Sequence, residues 1–155
     1  MKKLFFDCGT RDVTASLGLL VLRLSIGLMM LVGHGIPKLQ AYASLKDTWH
    51  VPPMWPLSYM SPPVSLIATI IAELLASALI VIGLGTRFAA FLLGFAMVVA
   101  AFDFGVAWPW FISGPGLAKE PALLYLIPML VLIITGAGAT SFDAAIYHDS
   151  KRRRW

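Results

Sequence analysis

Charge is what this chain of 155 residues most lacks: 13% of it is Asp, Glu, Lys or Arg, while 59% is hydrophobic. Together with a mean hydropathy of +0.82, that excludes a soluble domain of this size and leaves an integral membrane protein. Cysteine is nearly absent too. The single thiol, Cys8, excludes an internal disulfide and any CxxC redox or haem-attachment pair. Metal-ligand spacings such as HxxxH or ExxH are missing, so His34, His50, Asp103 and Glu120 are not expected to hold a metal, and no haem is expected. The hydrophobic runs also lack the alternating polarity of transmembrane strands, which leaves helices as the way to satisfy the backbone in lipid.

What is present is four apolar stretches, at about residues 15–36, 63–83, 88–107 and 121–138, each near the ~20 residues that a helix needs to cross the hydrocarbon core. The fold class is therefore all-α: an integral membrane, antiparallel four-transmembrane-helix bundle, a single domain over residues 15–138. An N-terminal arm (1–14) precedes it and a basic tail (139–155) follows. The first stretch is read as retained: it is too long for a signal peptide, is interrupted by Arg23, and has no small-residue cleavage pattern before Pro37.

Lys2, Lys3, Arg11, Arg87, Lys151, Arg152, Arg153 and Arg154 fall on one side, against Lys38, Lys46 and Lys119 on the other. That excess predicts a multi-pass membrane protein with both termini cytoplasmic. The net charge of +4 is read as topology plus attraction to anionic membrane lipid, with no nucleic-acid partner.

Pro37, Pro52, Pro53, Pro56 and Pro62 crowd the first outer loop, which favours short interfacial helices, for example over Leu39 to Lys46. Four of the five tryptophans (Trp49, Trp55, Trp108 and Trp110) fall on the outer side, as interfacial anchors or as an aromatic roof over the bundle mouth. Ala68, Ala72, Ala76, Ala90, Gly94, Ala96 and Ala100 predict close helix contact.

Arg23 lies inside the first apolar stretch, where a charge costs about 2.5–3.5 kcal/mol on insertion scales and so requires a partner. Arg23, Gly27, Met30, His34 and Lys38 follow at three- and four-residue steps, within about 80° of one helix face. Pro37 is expected to kink or end that helix near Gly33. At ~1.5 Å per residue, Arg23 and Glu73 reach similar depths, about 12 and 15 Å, which predicts an Arg23–Glu73 ion pair. Such a pair either fixes helix order or serves a site. Asp103, about 24 Å up the third stretch, needs a cation, for which Lys38 or His34 is expected. Glu120 opens the fourth stretch beside Pro121 and reads as an N-terminal cap, with Tyr125 one turn further on. His34, Glu73 and Asp103 are thus candidate catalytic groups for proton delivery, and Arg23, Lys38, Trp108, Glu120 and Tyr125 candidate substrate- or quinone-binding groups.

Three phrases in order carry a family resemblance: LRLSIGLMMLVGHGIPKL (Leu22 to Leu39), AELLASALIVIGLGTRFAAFLLGFAMVVA (Ala72 to Ala100), and KEPALLYL followed by GAGATSFD (Lys119 to Asp143). On these the chain resembles the DoxX family of small four-helix membrane proteins. The family's motif residues map onto Arg23, His34, Gly35, Lys38, Glu73, Arg87, Glu120 and Asp143. Gly136-Ala137-Gly138 replaces a commoner Gly-Pro-Gly, and the basic residue often found before the closing Ser-Leu-Asp is absent. The resemblance implies a bacterial cytoplasmic (inner) membrane protein and a spread of activities: a quinone-associated oxidoreductase subunit acting in thiosulfate or related sulfur and thiol redox chemistry, with quinone as the cofactor, or a non-catalytic membrane partner that docks or assembles soluble stress-response enzymes. A third function, transport of a small solute or proton, fits the charges at depth. A partner subunit or a homo-oligomer is compatible with each.

Overall fold

In the computed structural model, which describes residues 9, 10, 12–104, 107–113 and 117–152, the first span starts where a cap allows it. Asp12 accepts a 2.7 Å hydrogen bond from the Ala15 amide, satisfying one of the donors that a helix start leaves open. Helix α1 then runs Val13–Gln40. It does not stop at Pro37. A five-residue π turn, Leu31–Gly35, precedes the proline, and the Ile36 amide bonds back to the Leu31 carbonyl. The wider turn lets the chain accommodate a ring that would collide with the carbonyl four residues back, so the helix continues.

A short helix, α2 (Tyr42–Leu45), lies in the proline-rich loop. Helix α3 (Pro62–Ile82) returns across the bundle, α4 (Thr86–Asp103) crosses again, and α5 (Glu120–Thr135) closes it. The first three of these spans are long and apolar enough to cross a membrane, whereas α5 is shorter. At 1.5 Å per residue α5 is about 24 Å long. The tail forms a sixth helix, α6 (Phe142–Arg152). Both the start of α1 and α6 lie at one end of the bundle, the terminal end; residues 41–61, 107–113 and 117–119 lie at the other, the loop end. The described residues contain helices and turns and no strand, so this is an all-α bundle. Lys2, Lys3, Cys8, Arg11, Arg153 and Arg154, and residues 105 and 106 to which the third span was expected to run, lie outside the described residues.

The core is built by Met30, Ala76, Ile80, Ala89, Ala90, Leu93, Met97, Met129 and Leu132, and α4 packs most extensively on α5. Gly94 permits that approach: a Cβ there would stand 3.3 Å from the Cβ of Met129. Ala72, Ala76 and Ala90 are buried at helix contacts as expected, but Ala68 is exposed and belongs to the outward face. That face is apolar in turn, with Val21, Leu28, Val32, Phe91, Phe95, Ile127 and Ile134 exposed, as a bundle bathed in lipid requires.

Candidate functional site

Two more π turns interrupt the spans, at Ile71–Leu75 in α3 and at Ala100–Phe104 at the end of α4. Each of the three candidate catalytic residues sits in one: His34 in the first, Glu73 in the second, Asp103 in the third. A π turn costs hydrogen-bond geometry and re-aims the side chains that follow it, which is why such turns gather at functional sites.

The first π turn also breaks the expected polar stripe. Ser16, Leu19, Arg23, Gly27 and Met30 are buried at three- and four-residue steps, but the next buried position is Gly35. The extra residue in the turn hands the inward place to Gly35 and leaves His34 exposed. A Cβ at Gly35 would lie 2.9 Å from both the Glu73 carbonyl oxygen and the Leu74 Cα. Glycine is therefore required where α1 crosses α3.

Arg23 and Glu73 do not pair. The Glu73 carboxylate takes the Lys38 ammonium as its partner, while Arg23 Nη2 donates a 2.7 Å hydrogen bond to the Thr140 carbonyl. The cause is side-chain direction. Cβ atoms lean toward the N-terminus of their helix, and α1 and α3 run in opposite senses. Arg23 therefore leans toward the terminal end and Glu73 toward the loop end, where Lys38, near the last turn of α1, leans back to meet it. Equal depth of the Cα atoms was not enough to bring the charges together.

At the terminal end the sequence motif residues form a clamp. Asp143 accepts from the amides of Gly85 (2.7 Å) and Thr86 (3.0 Å), capping α4, and its own amide donates to the Gly83 carbonyl. Arg23 lies within electrostatic reach of this carboxylate. Arg87 Nη1 donates to the Ile133 carbonyl at 3.1 Å, near the negative end of α5. The tight turn between α3 and α4 depends on left-handed backbone at Gly83 (φ 74°) and Gly85 (φ 56°).

At the loop end, Asp103 pairs with neither Lys38 nor His34. Its Oδ2 accepts from His50 Nε2 at 2.7 Å, because the proline-rich loop folds back over the bundle. Sequence reasoning gave His50 no such role; only its position in a loop rich in rigid residues hinted at one. The Ser65 hydroxyl donates to the His50 carbonyl at 2.8 Å, fixing that loop to the start of α3. Glu120 is the first residue of α5, but its carboxylate accepts from the Ile112 amide at 3.0 Å. It ties the second loop down and does not cap its own helix. Lys119, also unassigned from sequence, places its ammonium 4.9 Å from the Trp110 ring centre and 5.6 Å from that of Phe102. Trp108 is half-buried in the same loop.

His34 meets Tyr125 edge to face, with ring centres 5.7 Å apart. The arrangement therefore brings together His34 with Tyr125 and Lys38 with Glu73, and keeps Arg23 and Asp103 apart from both. Among the described residues no three His, Cys, Asp or Glu side chains converge as a metal-ligand set.

A chain with apolar spans, a lipid-facing exterior and a part-buried ion pair between two of its helices is a multi-pass α-helical membrane protein. Residues 18–106, which include Arg23, His34, Lys38, Glu73, Arg87 and Asp103, match the sequence profile of DoxX. The protein belongs to the DoxX family. No curated protein and no solved structure matches the chain.

Proposed function

We propose that the protein is a quinone-associated redox subunit, acting in thiosulfate or related sulfur and thiol chemistry, in the bacterial cytoplasmic membrane with both termini on the cytoplasmic side. The observation that carries this reading is the position of His34. It is a polar ring exposed on a membrane span, in a π turn, in edge contact with Tyr125. A ligand that reaches such a group arrives through lipid, and a quinone does so while presenting carbonyl oxygens that an imidazole N–H or a phenol hydroxyl can bond. When bound, the quinone would supply the electron acceptance. The chain's own groups would bind its carbonyls, through His34 on α1 and Tyr125 on α5, and hold protons on the charged pair of Lys38, one turn further along α1, and Glu73 on α3.

Purification into native-lipid nanodiscs should retain quinone, and thiosulfate-dependent quinone reduction should fall in the His34→Ala and Glu73→Gln proteins. Absence of both bound quinone and turnover would refute the reading.

A second reading, a docking partner for soluble enzymes, is supported by α6. This helix leaves Phe142 and Ile146 exposed one turn apart, and four basic residues, 151–154, run on from its last turn in the sequence. Loss of the cellular phenotype on removing residues 151–155, with quinone binding intact, would favour it.

A further inference from the structure

Helix α3 carries a second polar series, Ser65, Thr69, Glu73 and Ser77, at four-residue steps. A four-residue step overshoots a helical turn by about 40°, but the π turn at Ile71–Leu75 takes more residues per turn and winds that drift back. Ser65, Glu73 and Ser77 are buried and Thr69 is half-buried, so the four lie along one inward-facing strip.

The charged groups beside this strip keep some exposure toward the loop end, although Ser65 itself is 4% exposed. The His50 side chain above it is 43% exposed and its partner Asp103 11%; Lys38 is 22% and Glu73 7%. Beyond Glu73 the strip closes, with Ser77 at 0% and Arg23 at 1%. Packing explains the closure. Gly27 of α1 faces Ser77 so closely that a Cβ would stand 3.3 Å from the Ser77 carbonyl oxygen and 2.6 Å from Val81 Cγ2. Below that, the Arg23 guanidinium fills the space against Gly83, where any Cβ would overlap it, and is anchored on the Thr140 carbonyl. A fixed cation in a narrow, water-poor passage also repels protons and metal cations.

We propose that the Lys38–Glu73 pair exchanges water and protons with the loop end alone, along Ser65 and Thr69, and that Arg23 is the plug that closes the terminal end. The proposal rests on the proposed site insofar as it assigns that site a side. Protons passed between a ligand at His34 and Tyr125 and the Lys38–Glu73 pair would be exchanged with the loop-end face only.

The chain's one cysteine makes the test direct. In a Cys8→Ser background, single variants Thr69→Cys and Ser77→Cys are exposed to a charged, membrane-impermeant methanethiosulfonate in right-side-out and inverted vesicles. Ser113→Cys marks the loop-end face. Only an ionisable thiol in contact with water reacts. Thr69→Cys should label from the Ser113→Cys face and not from the other, and Ser77→Cys from neither. Adding Arg23→Ala should make Ser77→Cys label from the terminal face. Failure of Thr69→Cys to label from the loop-end face, or labelling of Ser77→Cys from the terminal face with Arg23 present, would overturn the proposal. So would continued silence of Ser77→Cys in an Arg23→Ala protein that elutes as folded; if that variant does not fold, the Thr69 and Ser77 comparison decides alone. The labelling needs neither quinone nor turnover, so its failure and that of the redox reading are separately visible.

Discussion

The separation of Arg23 from Glu73 is a claim about two residues that can be measured as a coupling energy. Arg23 bonds the Thr140 carbonyl and Glu73 bonds Lys38, so the two share no partner. Double-mutant cycles on Arg23→Ala with Glu73→Ala should be additive within about 0.5 kcal/mol, and cycles on Lys38→Ala with Glu73→Ala should show a coupling of about 1 kcal/mol or more. Each single change at the Lys38–Glu73 pair leaves one charge between the helices without its counterion, which is why the two losses do not sum. Thermal unfolding in detergent reads both cycles. Additivity at Lys38 and Glu73, or strong coupling between Arg23 and Glu73, would reverse the assignment of partners.

Among the elements, the crossing of α1 and α3 is the most constrained by composition. Gly35 sits against the Glu73 carbonyl, while a Cβ at Gly33, two residues earlier, would meet nothing within 4 Å. Gly35→Ala must therefore push the helices apart at the level of the Lys38–Glu73 pair, at a cost of about 1–3 kcal/mol, as for other overpacked contacts. Gly33→Ala should be neutral or raise stability by up to about 1 kcal/mol through helix propensity. Melting temperatures of the two variants in the same detergent check the contrast; equal losses would mean that α1 and α3 do not meet at Gly35. The periodic reading of α1 failed at this same point. A regular 3.6-residue repeat puts His34 inward, and the π turn, which no periodicity announces, turns Gly35 inward in its place.

For the whole molecule, hydropathy alone was enough for the class, because a run of some 20 apolar residues has few alternatives to a spanning helix. The charged residues at depth were legible as well: Arg23 and Glu73 stand out in any apolar run, and both are buried. Their partners were not, since depth along an axis says nothing about which way a side chain leans, and the loop that brings His50 onto Asp103 folds back by contacts between residues 53 apart. Orientation rests on a different kind of sequence signal, the sum of charges at each end. Basic residues of short connections stay on the side where synthesis occurs, because moving them across opposes the membrane potential and costs desolvation. Arg87, in the first turn of α4, and Lys151 and Arg152, at the end of α6, share the terminal end, while Lys38, Lys46 and Lys119 share the loop end. A fluorescent protein fused after Trp155 should therefore fluoresce, whereas alkaline phosphatase inserted after Ile112 should be active, since each reporter works on one side of the membrane only. The converse pattern would place the loop end, and with it His50, Asp103 and the Lys38–Glu73 pair, toward the cytoplasm, so protons exchanged there would come from the cytoplasmic side.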